Sequence, residues 1–275
     1  MSAPTAARTV DASASVLLRE REKDIAILVL NRPQARNSLS EDLLTALSGA
    51  FAEIAADKTV RATVLTASGP AFCAGHDLKE LTSRRSDADG GRAYFRHIMT
   101  ICSAMMQQIV NLQQPVIAAV QGPASAAGCQ LVASCDLAIA SMSARFATPG
   151  VDIGLFCSTP MVALSRNVAR KHAMEMLLTG DMVSAERAAQ IGLVNHVVAS
   201  GKERKAALSL ARQIASKSSY VLKIGKQAFY HQAEMSLAEA YNYASEVMTE
   251  NMMAHDAEEG ICAFIDKRDA HWDDR

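Results

Sequence analysis

The period of the apolar positions changes several times along this chain, and each change marks an element. "SVLLRERE" (Ser15 to Glu22) and "DIAILVLN" (Asp24 to Asn31) are short strand-like runs on either side of a charged turn. After the extended Arg32–Pro33 step, "SLSE" (Ser38 to Glu41) has capping-box spacing. It predicts a helix through "LLTALSGAFAEIAA", where apolar residues recur at helical intervals. "VRATVLTA" (Val60 to Ala67) returns to a strand pattern and stops at Ser68-Gly69-Pro70. A polar loop, "TSRRSDADGGR", leads into a helix spanning Ala93 to Val110. "PVIAAVQG" (Pro115 to Gly122) and "DLAIAS" (Asp136 to Ser141) are further strands.

From Pro160 onward the strand signal nearly ceases, apart from "LVNHVV" (Leu193 to Val198). "MVALSRNVARKHAMEMLLTG" and "SAERAAQIG" read as helical, as do Lys202 to Lys217, Tyr220 to His231 and Leu237 to Met253. Two of these helices carry apolar residues that suit either a core or a partner chain. Short buried strands alternating with helices predict the α/β class, with function held in loops at strand ends. The reading divides the chain into a disordered lead at 1–14, a core at 15–200 and a helical region at 201–275. No low-complexity linker separates independent domains.

Composition narrows the picture. Of 275 residues, 49% are hydrophobic but only 5% are aromatic, which argues against an aromatic-rich sandwich or an RNA-stacking module. The 28 basic and 29 acidic residues leave a net charge of −1, so neither nucleic acid nor an anionic membrane is the expected partner. Six cysteines form no CxxC pair and read as reduced, buried thiols, not as a zinc site. No run of about 18 apolar residues predicts a membrane span. The N-terminus lacks an apolar signal core, and a transit peptide would carry more arginine and no Asp11.

Three loops attract attention. "GPAFCAGHDLKEL" (Gly69 to Leu81) follows a strand with small residues, so backbone N–H groups can be exposed at a sheet edge. "ASAAGCQLVASCD" (Ala124 to Asp136) leads small residues into a helix-like run, where Gly128 permits close backbone approach. "FATPGVDIGLFCSTP" (Phe146 to Pro160) fixes a turn with Pro and Gly. Each alone is as readily a tight turn; two together can offer paired N–H donors to a carbonyl oxygen. No GxSxG, HExxH, Walker loop or GxGxxG appears, which removes serine esterase, zincin, NTPase and nicotinamide chemistry from the leading candidates.

In order and spacing, "LNRPQARNSLS", "GPAFCAGHDLKEL", "AAGCQLVASCDLAIAS", the "FATP" loop, "LLTGDMVSAERAAQIGLVNHVV" and "EEGICAFIDKR" resemble the enoyl-CoA hydratase/isomerase family, also called the crotonase superfamily. The resemblance covers Val16 to Trp272. It implies a spiral of ββα units with a C-terminal helical trimerisation region, assembled as a homotrimer or a dimer of trimers. It further implies an acyl-CoA thioester as ligand, no separate cofactor, no metal, and a place in fatty-acyl metabolism. The location implied is the cytoplasm, or the mitochondrial matrix for a eukaryotic source. By the same resemblance, the backbone N–H groups of His76 and Ala127, with Gly128 as near neighbour, would bind the thioester oxygen. Ala74, His76, Asp77 and Leu78 would line the adenine pocket. Lys267 would approach CoA from a neighbouring subunit, or be an ordinary surface lysine.

Hydratases of this family hold and split water with two glutamates. Their places here are Gln130 and Gly150. A carboxamide donates and accepts hydrogen bonds but exchanges no proton near neutrality, and glycine offers no side chain. General acid–base groups contribute roughly 10²–10⁴-fold each, so water addition should be badly impaired. Substitute groups in the third loop are Asp152, Cys157, Ser158 and Thr159; Tyr94 and His97 are further candidates on the preceding long helix. Rival readings are a non-catalytic acyl-CoA-binding or assembly subunit, and a thioesterase or decarboxylase on the same scaffold. A subgroup of the family shares the Gln and Gly.

Overall fold

The computed structural model describes residues 15–275; the lead expected at 1–14 lies outside the described residues. The charged turn at Lys23 closes an antiparallel pair, β1 (Leu17–Glu22) and β2 (Ile25–Leu30), with Leu17 opposite Leu30. Helix α1 (Glu41–Ala56) returns the chain to β3 (Ala62–Ala67), which lies parallel to β2. A short α2 (Leu78–Ser83) and the long α3 (Arg92–Asn111) precede β4 (Val116–Val120). Next come β5 (Ala124–Ser125), α4 (Ala127–Ser134), β6 (Leu137–Ser141) and β7 (Arg145–Ala147). After a 3-10 turn at Pro149–Ile153 the chain runs through α5 (Pro160–Asn167), α6 (Arg170–Thr179), β8 (Val183–Ser184), α7 (Ala185–Gln190) and β9 (His196–Val198). It ends in α8 (Glu203–Ala215), α9 (Ser219–Gln232), α10 (Leu237–Met252) and α11 (His255–Asp266).

The main sheet has the order β1-β2-β3-β4-β6-β9 and is parallel from β2 onward. Every residue of β2 and β4 is buried, as expected of strands covered on both faces. Alternate residues serve alternate layers. Leu28, Leu65 and Ala118 join the core with α1, α3 and α4, while Ile27, Val64 and Ile117 pack beneath Ala207 and Ala211 of α8. The division expected at residue 200 therefore falls just before a helix that roofs the sheet. A second sheet, β5-β7-β8, carries the segment immediately ahead of α4.

Several local expectations need correction. Ser38 does not cap α1; Ser40 does, accepting from the Leu43 N–H, while the Ser38 hydroxyl donates to Asp77. The long run after Pro160 is two helices, because Val168 and Ala169 are extended. The "KEL" stretch forms α2, capped by the Asp77 carboxylate. Five cysteines are buried as expected, but Cys262 is exposed.

A buried ionic cluster fastens α9 to this core. Lys226 Nζ donates to Asp136 Oδ2 at 2.7 Å and to the carbonyls of Ile109 at 3.0 Å and Gln114 at 3.3 Å. Tyr230 donates to Asp136 Oδ1 at 2.9 Å, and the Val116 N–H to Oδ2 at 2.7 Å. Burial lowers the Lys226 pKa, and the Asp136 charge partly opposes that. Among the described residues no helix is long and apolar enough to cross a membrane, and no cluster of metal-ligating side chains occurs.

Candidate functional site

The site begins where two loops meet. On one side, the Leu39 N–H donates to the Gly75 carbonyl and the Asp77 N–H to the Leu39 carbonyl, at 2.7 and 3.2 Å. On the other, Cys73 pairs with the Ala124 segment, donating to the Pro123 carbonyl and accepting from the Ser125 N–H. Between these anchors the His76 N–H faces away from Leu39 and has no acceptor among the described residues. The Ala127 N–H, at the first turn of α4, likewise has none. The loops touch: a Cβ placed on Gly75 would lie 3.4 Å from Ala127 N and 3.0 Å from the Ser125 carbonyl oxygen. Two free donors, one from each loop, can serve a single acceptor oxygen.

Close approach dictates the residues here. A Cβ on Gly128 would fall 2.1 Å from the Cys73 carbonyl oxygen, so only glycine fits beneath that strand. Ala126, just before α4, is held at φ 50° and ψ −117°, a region that side-chain-bearing residues rarely occupy. Such strain costs on the order of 1–3 kcal/mol.

Gln130 lies one turn along α4. It is 5% exposed, and its Oε1 is buried with no partner among the described residues. The side chain lines a cavity of about 890 Å³ walled by α3, α4, α5, α9 and the start of α10. Thr159 and Tyr230 also line it; Tyr94, His97, Asp152, Ser158 and Lys267 do not.

Gly150, buried at the 3-10 turn, is not an empty slot. A Cβ there would lie 3.0 Å from both Cys157 Sγ and the Leu155 carbonyl oxygen. Gly154 adopts φ 75°, reversing the chain so that residues 155–157 fold back over Gly150. The Cys157 thiol and the surrounding main chain therefore crowd the place where a side chain at residue 150 would begin, and burial raises the pKa of the thiol. Nothing in the sequence signals that contact. The Asp152 carboxylate lies against Gly180 at the end of α6, and Ser158 donates to the Phe156 carbonyl at 3.3 Å. His97 pairs with Glu41 at 3.1 Å, and Arg84 stacks 4.7 Å over Tyr94. Asp77 pairs with Arg32 at 3.0 Å; Ala74 and Leu78 are exposed beside it. Lys267 caps α11 in the left-handed conformation, at φ 54°.

The His76 imidazole has both nitrogens buried without partners, and burial lowers its pKa from 6.5 to about 4. The unfolded chain therefore binds a proton that the folded chain refuses between those values. Stability should fall on acidification from pH 6.5 towards about 4, then level off, by about 3 kcal/mol in all. Urea midpoints against pH check this: His76→Gln should show a shallower loss across that window. Parallel curves would refute the assignment.

Comparison with known proteins bears on this geometry. Residues 20–275 match the family model described as enoyl-CoA hydratase/isomerase. Human enoyl-CoA hydratase domain-containing protein 3, mitochondrial, is 44% identical over 269 residues, covering 98% of this chain and 83% of that protein. Its crystal structure matches with a TM-score of 0.89, covering 94% of this chain and 100% of that one. An enoyl-CoA hydratase structure from Mycobacterium smegmatis has a TM-score of 0.89 at 49% identity, covering 94% of this chain and 98% of that one.

Proposed function

Because the chain belongs to the enoyl-CoA hydratase/isomerase family, in the subgroup typified by enoyl-CoA hydratase domain-containing protein 3, we propose that it binds acyl-CoA thioesters and polarises their carbonyl between the amides of His76 and Ala127. The observation that carries this reading is the pair of unpaired N–H groups where the two loops meet, one turn of α4 before Gln130. Negative charge developing on the thioester oxygen would be held by both donors, and losing one such donor typically costs about 3–4 kcal/mol of barrier. Ala74, Asp77 and Leu78 flank the His76 amide and would receive the adenine end. Lys267 would reach CoA across a subunit boundary.

Exposed Phe229, Leu237, Tyr241, Met252 and Phe264 on the C-terminal helices supply apolar faces suited to a homotrimer or a dimer of trimers.

Hydration of enoyl thioesters should be slow, since Gln130 and Gly150 replace both proton-handling carboxylates. With crotonyl-CoA the expected rate is at least about 10²-fold below that of glutamate-bearing relatives. Gln130→Glu should recover part of it. Gly150→Glu should not do so, alone or with Cys157→Ala, because the Leu155 carbonyl oxygen and the Cys157 main-chain nitrogen still crowd the new stem at 3.0 and 3.2 Å. Loss of enoyl absorbance measures each rate. Parent turnover equal to ordinary hydratases would sink the account of the missing acids, and absence of any CoA-ester binding would sink the site itself.

A further inference from the structure

The free N–H of His76 belongs to a peptide unit that ends a hydrogen-bonded series. In a planar trans peptide the carbonyl and the N–H point in opposite directions, so whatever holds one orients the other. The His76 N–H shares its peptide with the Gly75 carbonyl, which accepts from the Leu39 N–H at 2.7 Å. The Leu39 N–H shares its own peptide with the Ser38 carbonyl, and that oxygen accepts from Arg32 Nη1 at 2.6 Å. A guanidinium, two peptide units and a free donor therefore stand in series.

Arg32 is fixed on several sides. Its Nη2 donates to Asp77 Oδ2 at 3.0 Å, and its Nη1 also reaches the Ser38 hydroxyl at 3.2 Å. Its main-chain N–H donates to Asn37 Oδ1 at 2.7 Å, while the Asn37 amide holds the Ser68 and Ala71 carbonyls, both at 2.8 Å. The Arg32 and Asp77 side chains are 17% and 12% exposed, so water screens these contacts little. A bond from an ionised donor is roughly twice as strong as a neutral one. In a low-dielectric site each bond in a chain polarises the next, by on the order of 10–30%. The pull of Arg32 on the Ser38 carbonyl thus makes the Leu39 N–H a better donor, and the Gly75 carbonyl passes the effect to the His76 N–H.

We propose that Arg32 is a positioning residue for the thioester site, acting through the Ser38–Leu39 and Gly75–His76 peptides. It orients the His76 N–H and strengthens it as a donor without itself meeting the ligand. This rests on the reading of His76 and Ala127 as the carbonyl-binding amides.

The carbonyl stretch of a bound thioester reports the strength of the donors on its oxygen. Difference infrared spectroscopy of the full-length protein with butyryl-CoA, isotope-labelled at the carbonyl carbon, is the test, with affinity taken from calorimetry. In the parent the band should lie at lower frequency than in water. Arg32→Met should move it back towards the solution position and weaken binding at least about tenfold, as for one lost bond to a charged group. Arg32→Lys keeps the charge but not the fork, and should fall between the two. Arg61→Met is the control: it breaks an ion pair with Asp274 at the opposite end of the sheet, and should leave the band in place. A parental band in both Arg32 variants, or an equal displacement by Arg61→Met, overturns this inference alone. If Arg32→Met fails to fold, an unmoved band in Arg32→Lys overturns it by itself. A parent that binds no butyryl-CoA, or binds it with the band unshifted, overturns the reading of the two amides and this inference with it.

Discussion

Replacing Gly128 with alanine is expected to abolish CoA-ester binding and to destabilise the fold by about 3 kcal/mol. Helix propensity alone predicts the opposite, a gain of about 1 kcal/mol for Gly→Ala. The contact decides the sign: the added methyl would lie 2.1 Å from the Cys73 carbonyl oxygen and 2.8 Å from its carbon. Both are backbone atoms, fixed by the Pro123 and Ser125 hydrogen bonds at 3.2 and 2.9 Å, so no side-chain rotation relieves the clash. The loops must separate, and with them the His76 and Ala127 donors. Gly225→Ala in α9 is the control, since its methyl would meet nothing within 4 Å and should stabilise by about 0.5–1 kcal/mol. Urea unfolding and calorimetry measure both effects. A Gly128→Ala protein with parental stability and affinity would refute the close packing of strand on helix.

Lys226→Met should cost about 3 kcal/mol, the lower end of what breaking a buried ion pair costs. The lower end applies because Asp136 keeps the Val116 N–H at 2.7 Å and the Tyr230 hydroxyl at 2.9 Å. The Ile109 and Gln114 carbonyls lose their shared donor. Adding Asp136→Leu should return part of the loss, because the unpaired charge then disappears too. Amide hydrogen exchange should quicken chiefly in α9, whose Tyr230 helps wall the cavity, so weaker ligand binding should accompany the looser helix. Uniform faster exchange throughout the sheet would show that the cluster holds the whole fold together instead of this one helix.

Much of this architecture is legible in the sequence where one face or two are plainly buried. β2 and β4 read as strands because their apolar runs are short and continuous, and α3 because Ile98, Cys102, Met105 and Ile109 recur at helical spacing. Shorter pieces escape that reasoning. β5 and β8 have only two residues each, and their pairing with β7 comes from tertiary placement. The cap moved from Ser38 to Ser40 because Asp77, distant in sequence, claims the Ser38 hydroxyl. At the site, the small residues around Gly75 and Gly128 signal close backbone approach, and Gln130 stands out as an amide where an acid was expected. Two features left no local trace. The Lys226–Asp136 pair joins distant parts of the chain, and the Cys157 contact exists only because Gly154 turns the loop back.

That folded-back loop constrains how a carboxylate could be installed at residue 150. With sulfur and a main-chain oxygen each 3.0 Å from where a new stem would begin at residue 150, a lone mutation to glutamate meets resistance before its carboxylate can do anything. Shrinking residue 157 relieves only the sulfur contact, so the backbone of residues 155–157 has to shift as well. An acid at this position therefore takes a rebuilt loop and not a single substitution.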